Sequence, residues 1–95
     1  MPEMHFRVRW PDGAAESCYS PSLVIKDHLE VGERYALGDF LARSRAALTV
    51  ASERVREKYG FACSRALGQL ARIEAAAERY ATDPNAVVTV LAFDE

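Results

Sequence analysis

Apolar runs are short throughout the chain. None approaches the ~18 residues that a membrane-spanning helix requires, so no membrane partner is expected. Positive charge is scarce as well: 12 Lys and Arg stand against 14 Asp and Glu, for a formal charge of -2 with both histidines neutral. That balance excludes a nucleic-acid binder that works by neutralising phosphates. The 2 cysteines, Cys18 and Cys63, are too few and too scattered for a disulfide framework. With 5 Gly and 4 Pro, collagen-like and low-complexity readings fail. The opening Met-Pro-Glu-Met-His-Phe-Arg has no apolar signal-peptide core, so the expected compartment is the cytoplasm, where both thiols stay reduced. Also missing are a glycine-rich phosphate loop, a nucleophile elbow and carboxylates paired at a telling spacing. The only soft ligands, His5, Cys18, His28 and Cys63, lack zinc-site spacing. Neither a metal nor a cofactor is implied.

What is present is an ordinary globular balance over 95 residues, 49% hydrophobic and 27% charged, enough for one domain spanning residues 1–95. Met4, Phe6, Val8 and Trp10 alternate with His5, Arg7 and Arg9, the signature of a strand with one buried and one basic face. Pro11-Asp12-Gly13 signals a turn, so residues 15–20 should return antiparallel as an edge strand. Over residues 21–29 helix and strand both remain open. Ser20 can cap a short helix with Pro21 at its first position, Leu23-Val24-Ile25 equally suits a strand, and a short helix or irregular turn is preferred. Arg34-Tyr35-Ala36-Leu37 reads as a brief extended stretch.

From Asp39 to Tyr59 the period becomes helical, with Phe40, Ser44, Ala47, Leu48, Ala51, Val55 and Tyr59 in one stripe and Gly60 as its left-handed stop. Phe61 is expected to fold back on the last turn. Ser64 is the expected N-cap of a second helix running to about Ala81, with an apolar line of Leu67, Leu70, Ile73, Ala77 and Tyr80. Val87 to Phe93 reads as a fully buried central strand. The architecture implied is α+β: a three-stranded, mainly antiparallel sheet built from the N-terminal hairpin and the C-terminal strand, covered on one face by a two-helix hairpin.

Four constellations carry chemistry. Cys63, just before a helix N-terminus, is placed as a thiol nucleophile or redox sensor; with no histidine near it in sequence, a packed small side chain is the stronger reading. His5, Arg7 and Arg9 form a basic row able to hold a carboxylate or phosphate, although such a row is more often a wet sheet face paired with acids such as Glu16. Cys18, Tyr19 and Ser20 make a polar cluster whose hydroxyls serve a pocket or, more simply, a turn and a cap. Ser64 joins Cys63 as a candidate for binding a ligand or partner, and the mixed charges of residues 52–59 give a solvated face or a docking surface.

Several segments read together: Arg9-Trp10-Pro11-Asp12-Gly13, Cys18-Tyr19-Ser20-Pro21-Ser22, Ser44-Arg45-Ala46-Ala47-Leu48, Ala51-Ser52-Glu53-Arg54-Val55-Arg56 and Tyr59-Gly60-Phe61-Ala62-Cys63-Ser64. In order and spacing, from the N-terminus to about Ile73, they resemble the small bacterial nitrogen starvation response proteins. The resemblance implies a gene cluster with a nitrilase, a radical SAM protein, an acetyltransferase-like protein and a flavoprotein, and a part in nitrile or cyanide assimilation. It carries over no catalytic residue. The expected function is therefore a cytoplasmic accessory or regulatory protein that binds an enzyme of that cluster or a small metabolite. The alternative is a thiol-dependent enzyme or carrier using Cys63, and a third reading is a homodimer formed through the sheet face.

Overall fold

The computed structural model describes residues 3–61 and 63–95. Strand β1 (Met4–Arg9) turns into β2 (Ala15–Ser20), and a 3-10 helix over Leu23–Asp27 follows. A three-residue strand β3 (Arg34–Ala36) leads directly into helix α1 (Leu37–Tyr59), then α2 (Ser64–Glu78) and β4 (Val87–Asp94). The strands lie in the order β2-β1-β4-β3, every neighbouring pair antiparallel.

The hairpin forms for local reasons. Gly13 N–H donates to the Trp10 carbonyl at 2.8 Å, closing a turn around Pro11 and Asp12, and Gly13 takes a φ of 91 that side chains resist. Asp12 Oδ1 accepts from the Ala14 N–H at 2.9 Å. Alternation then places Met4, Phe6, Val8 and Trp10 in the core, opposite the face carrying His5, Arg7 and Arg9. At the end of the hairpin the Trp10 ring meets Phe40 edge-on and stacks on Tyr80, tying this turn to α1 and to the turn that follows α2.

The sheet has four strands where the sequence pattern predicts three. The extra one is the extended stretch before α1, which pairs Arg34 with Thr89, Tyr35 with Val88 and Ala36 with Val87. Three residues hold too little alternation to announce a strand, and this one forms because Tyr35 is buried and its hydroxyl accepts the Glu30 N–H at 3.0 Å. Residues 21–29 resolve to the 3-10 helix, capped by Ser22 rather than Ser20: the Ser22 side chain accepts from the Val24 N–H.

The C-terminal strand is central, yet covered on one face only. Val88 and Val90 are sealed, while Val87 is 37% exposed. Arg7 pairs with Ala92 but Val8 with Val90, so Leu91 is an extra residue in β4. This bulge shifts the alternation by one and returns Phe93 to the core side beside Phe6. Its apolar residues point to both faces, which is why the run reads as buried throughout.

Helix α1 starts at Leu37, two residues before the expected Asp39, and stops at Gly60, whose φ is 85. Its stripe from Phe40 through Ala51 is buried against the sheet. Beyond that the helix outruns the sheet: Tyr59 is exposed, and Phe61 stays out rather than folding back. Helix α2 is capped by Cys63, so Ser64 is its first helical residue and not the cap, and it ends at Glu78. Its buried face is rotated from the expected line: Ala66, Gln69, Leu70 and Ile73 are buried, whereas Leu67 is exposed.

Candidate functional site

Strand β2 is an outer strand, and α2 runs beside its free edge. Tyr19 turns its backbone N–H outward and donates it to Gln69 Oε1 at 2.9 Å. Outward positions recur every second residue in an antiparallel ladder, so Ser17 also presents its N–H and carbonyl at that edge. Between edge and helix a cleft of about 390 Å³ opens, with His5, Ser17 and Tyr19 on the strand side and Ser64, Arg65, Gly68, Gln69 and Arg72 on the helix side.

The wall is rich in donors and holds no carboxylate. Arg65 lays its guanidinium over the Tyr19 ring, 3.9 Å from the centroid, and His5 meets that ring in an edge contact at 5.7 Å. Burial and the Glu3 carboxylate beside it push the Tyr19 phenol up, against the pull of Arg65. Glu3 reaches Arg65 only loosely, at 3.8 Å between exposed side chains. Arg72 makes no ion pair among the described residues.

Gln69 is the unusual member. It is 5% exposed, its oxygen is committed to Tyr19, and its Nε2 has no partner. Leaving such a buried donor unpaired costs roughly 1–3 kcal/mol. The first turn of α2 adds its own unpaired N–H groups, because the Cys63 side chain makes no capping bond.

Of the residues singled out in the sequence, His5, Tyr19 and Ser64 meet in this cleft. Cys63, half-buried, opens into an adjoining recess of about 210 Å³ that shares Tyr19 as a wall and includes Glu3 and Tyr59. Arg7 is elsewhere, bound to Asp94 at 3.2 Å rather than to Glu16, which lies opposite Val8 on the other face. Arg9 is exposed, between Ala15 and Thr89. Cys18 is in the core opposite Phe6, where burial, followed by the charge of Glu16, pushes its thiol up to about 12. Ser20 is buried and donates to the Ser22 carbonyl at 2.7 Å, so its hydroxyl serves the turn.

Arg65, Gln69 and Arg72 escaped the sequence reading. Their signal was present as an i, i+4, i+7 stripe on α2. It is hidden because Gln69 belongs to the buried face of α2 while being neither apolar nor charged. A second concavity of about 370 Å³ lies at the far end of the helices, lined by Leu37, Leu41, Ala77, Tyr80 and Ala86 with acidic residues beside them. It contains none of the candidates.

Two helices on one face of a four-stranded antiparallel sheet, with a donor-lined cleft at its edge, define a two-layer α+β protein. The chain belongs to the NitG family, described as nitrogen starvation-induced protein NitG, whose sequence model matches residues 5–93. That match runs past Ile73, where the resemblance was expected to fade, and includes nearly all of β4. No curated protein and no solved structure matches the chain.

Proposed function

We propose that this protein is a cytoplasmic accessory protein of nitrogen scavenging from nitriles or cyanide, acting beside an enzyme of the same gene cluster by binding a small metabolite in the cleft between β2 and α2. The observation that carries the binding role is the cleft wall itself, which gathers Arg65, Arg72, His5 and the first turn of α2 with no carboxylate among them. Membership of a nitrogen starvation-induced family supports the physiological setting, and the resemblance to proteins encoded beside a nitrilase supports the pathway. Two of the nucleophile candidates do not serve turnover: Cys18 is sealed and keeps its proton, and Ser20 is spent on the turn.

Equilibrium dialysis against a metabolite extract of nitrogen-starved cells, followed by mass spectrometry, tests this reading. A small molecule should be retained by the native protein and lost from Arg72→Ala. Retention of the same compounds by both proteins would remove the cleft from the account. A second reading, a thiol carrier at Cys63, is favoured by the recess into which that thiol opens. It predicts a mass increase on Cys63 after incubation with the extract, absent in Cys63→Ala.

A further inference from the structure

Resting on that metabolite-binding reading, we propose that the cleft selects an elongated organic dianion, a dicarboxylate, rather than a single compact anion. Arg65, Gln69 and Arg72 follow one another along a single stripe of α2. Seven residues of helix separate the two arginine backbones by about 10 Å, with the Gln69 amide between them. Arg65 is held on the Tyr19 ring at the N-terminal end, and Arg72 stands free of ion pairs among the described residues two turns further on. A tetrahedral phosphate presents its charge at a single compact centre, matched to one cation with the helix N–H groups. A chain with a carboxylate at each end spans both cations, and each planar carboxylate matches a guanidinium fork.

The middle of the site fits the same ligand. Because Gln69 Oε1 accepts from the Tyr19 N–H, the amide is fixed beneath the middle of the cleft, with Nε2 buried and without a partner among the described residues. Gly68, also in the wall, has no side chain to occupy the space, and nothing lies within 4 Å of where a Cβ would stand. Glu3 touches Arg65 at 3.8 Å and marks where a ligand carboxylate would bind more closely.

Isothermal titration at low salt tests the assignment, with glutarate and succinate as dicarboxylates and acetate, inorganic phosphate and neutral glutaramide as comparisons. The full chain should bind glutarate or succinate at least tenfold more tightly than acetate, phosphate or glutaramide. Arg72→Ala should remove most of that advantage. Gln69→Glu keeps the acceptor for Tyr19 but replaces the donor with a negative charge, and should lose dicarboxylate binding under conditions where circular dichroism shows the variant folded, at some cost in stability because the site is buried. Tighter binding of phosphate, equal binding of glutaramide, or an undiminished affinity in a folded Arg72→Ala protein would overturn the dicarboxylate assignment. If the whole panel fails while dialysis still recovers a cleft-bound metabolite, only this inference falls. If both fail, the metabolite reading falls with it.

Discussion

A thiol in the core and a thiol at a helix start behave differently although both are free. Cys18 is fully buried and held to about 12, against an ordinary value of 9.0, so the folded protein keeps its proton where the unfolded chain gives it up. Stability from this group is complete below pH 9 and is lost as pH rises from there towards 12. Denaturant midpoints of the native protein should therefore decline over that range, and Cys18→Ala should decline less. At pH 8, iodoacetamide should modify Cys63 ahead of Cys18, with Cys18 inert until unfolding, as peptide mass spectrometry would record. Arg7 offers the opposite case. Its pair with Asp94 is half-exposed on both sides, so Arg7→Ala should shift stability by no more than about 1 kcal/mol and leave ligand binding intact.

Among the elements, α2 has two duties, covering the sheet with Leu70 and Ile73 and walling the cleft with Arg65 and Arg72. Gly68 weakens this helix, and a Cβ there meets nothing within 4 Å. Gly68→Ala should accordingly stabilise the protein by about 0.5–1 kcal/mol in chemical denaturation, while narrowing the cleft. The elements differ in how far their residues announced them. The hairpin was legible because its alternation and its Pro-Asp-Gly turn act within a few residues, and α1 because its stripe persists to Gly60. β3 was not, since its strand character comes from pairing with the distant β4. The bulge at Leu91 was equally hidden, being a matter of register with β1 rather than of residue type. The cleft was half legible: His5, Tyr19 and Ser64 stood out by chemistry. Gln69 and Arg72 gain meaning only when α2 is laid along the edge of β2.

At the scale of the whole molecule, one apolar layer between sheet and helices joins Phe6, Val8, Phe40, Leu48, Ile73 and Val90. Phe40 is fully buried beneath Trp10, so Phe40→Ala should cost about 3–5 kcal/mol by combined loss of burial and a residual cavity, read from denaturant midpoints. No helix of the described residues is long and apolar enough to cross a membrane. The uncovered face carries His5, Arg7 and Arg9, and at its edge the sheet meets α2 to make the cleft, so the site depends on the sheet and helical layers docking correctly. The central claim is that a small dicarboxylate binds there. Amide and side-chain NH2 shifts of ¹⁵N-labelled protein, followed during titration with glutarate, test it most directly. The account predicts saturable shifts centred on the Gln69 side-chain amide and on the backbone of Ser17, Arg65 and Gly68. Shifts confined to the groove around Leu41 and Ala86, or no shift at any glutarate concentration, would contradict it.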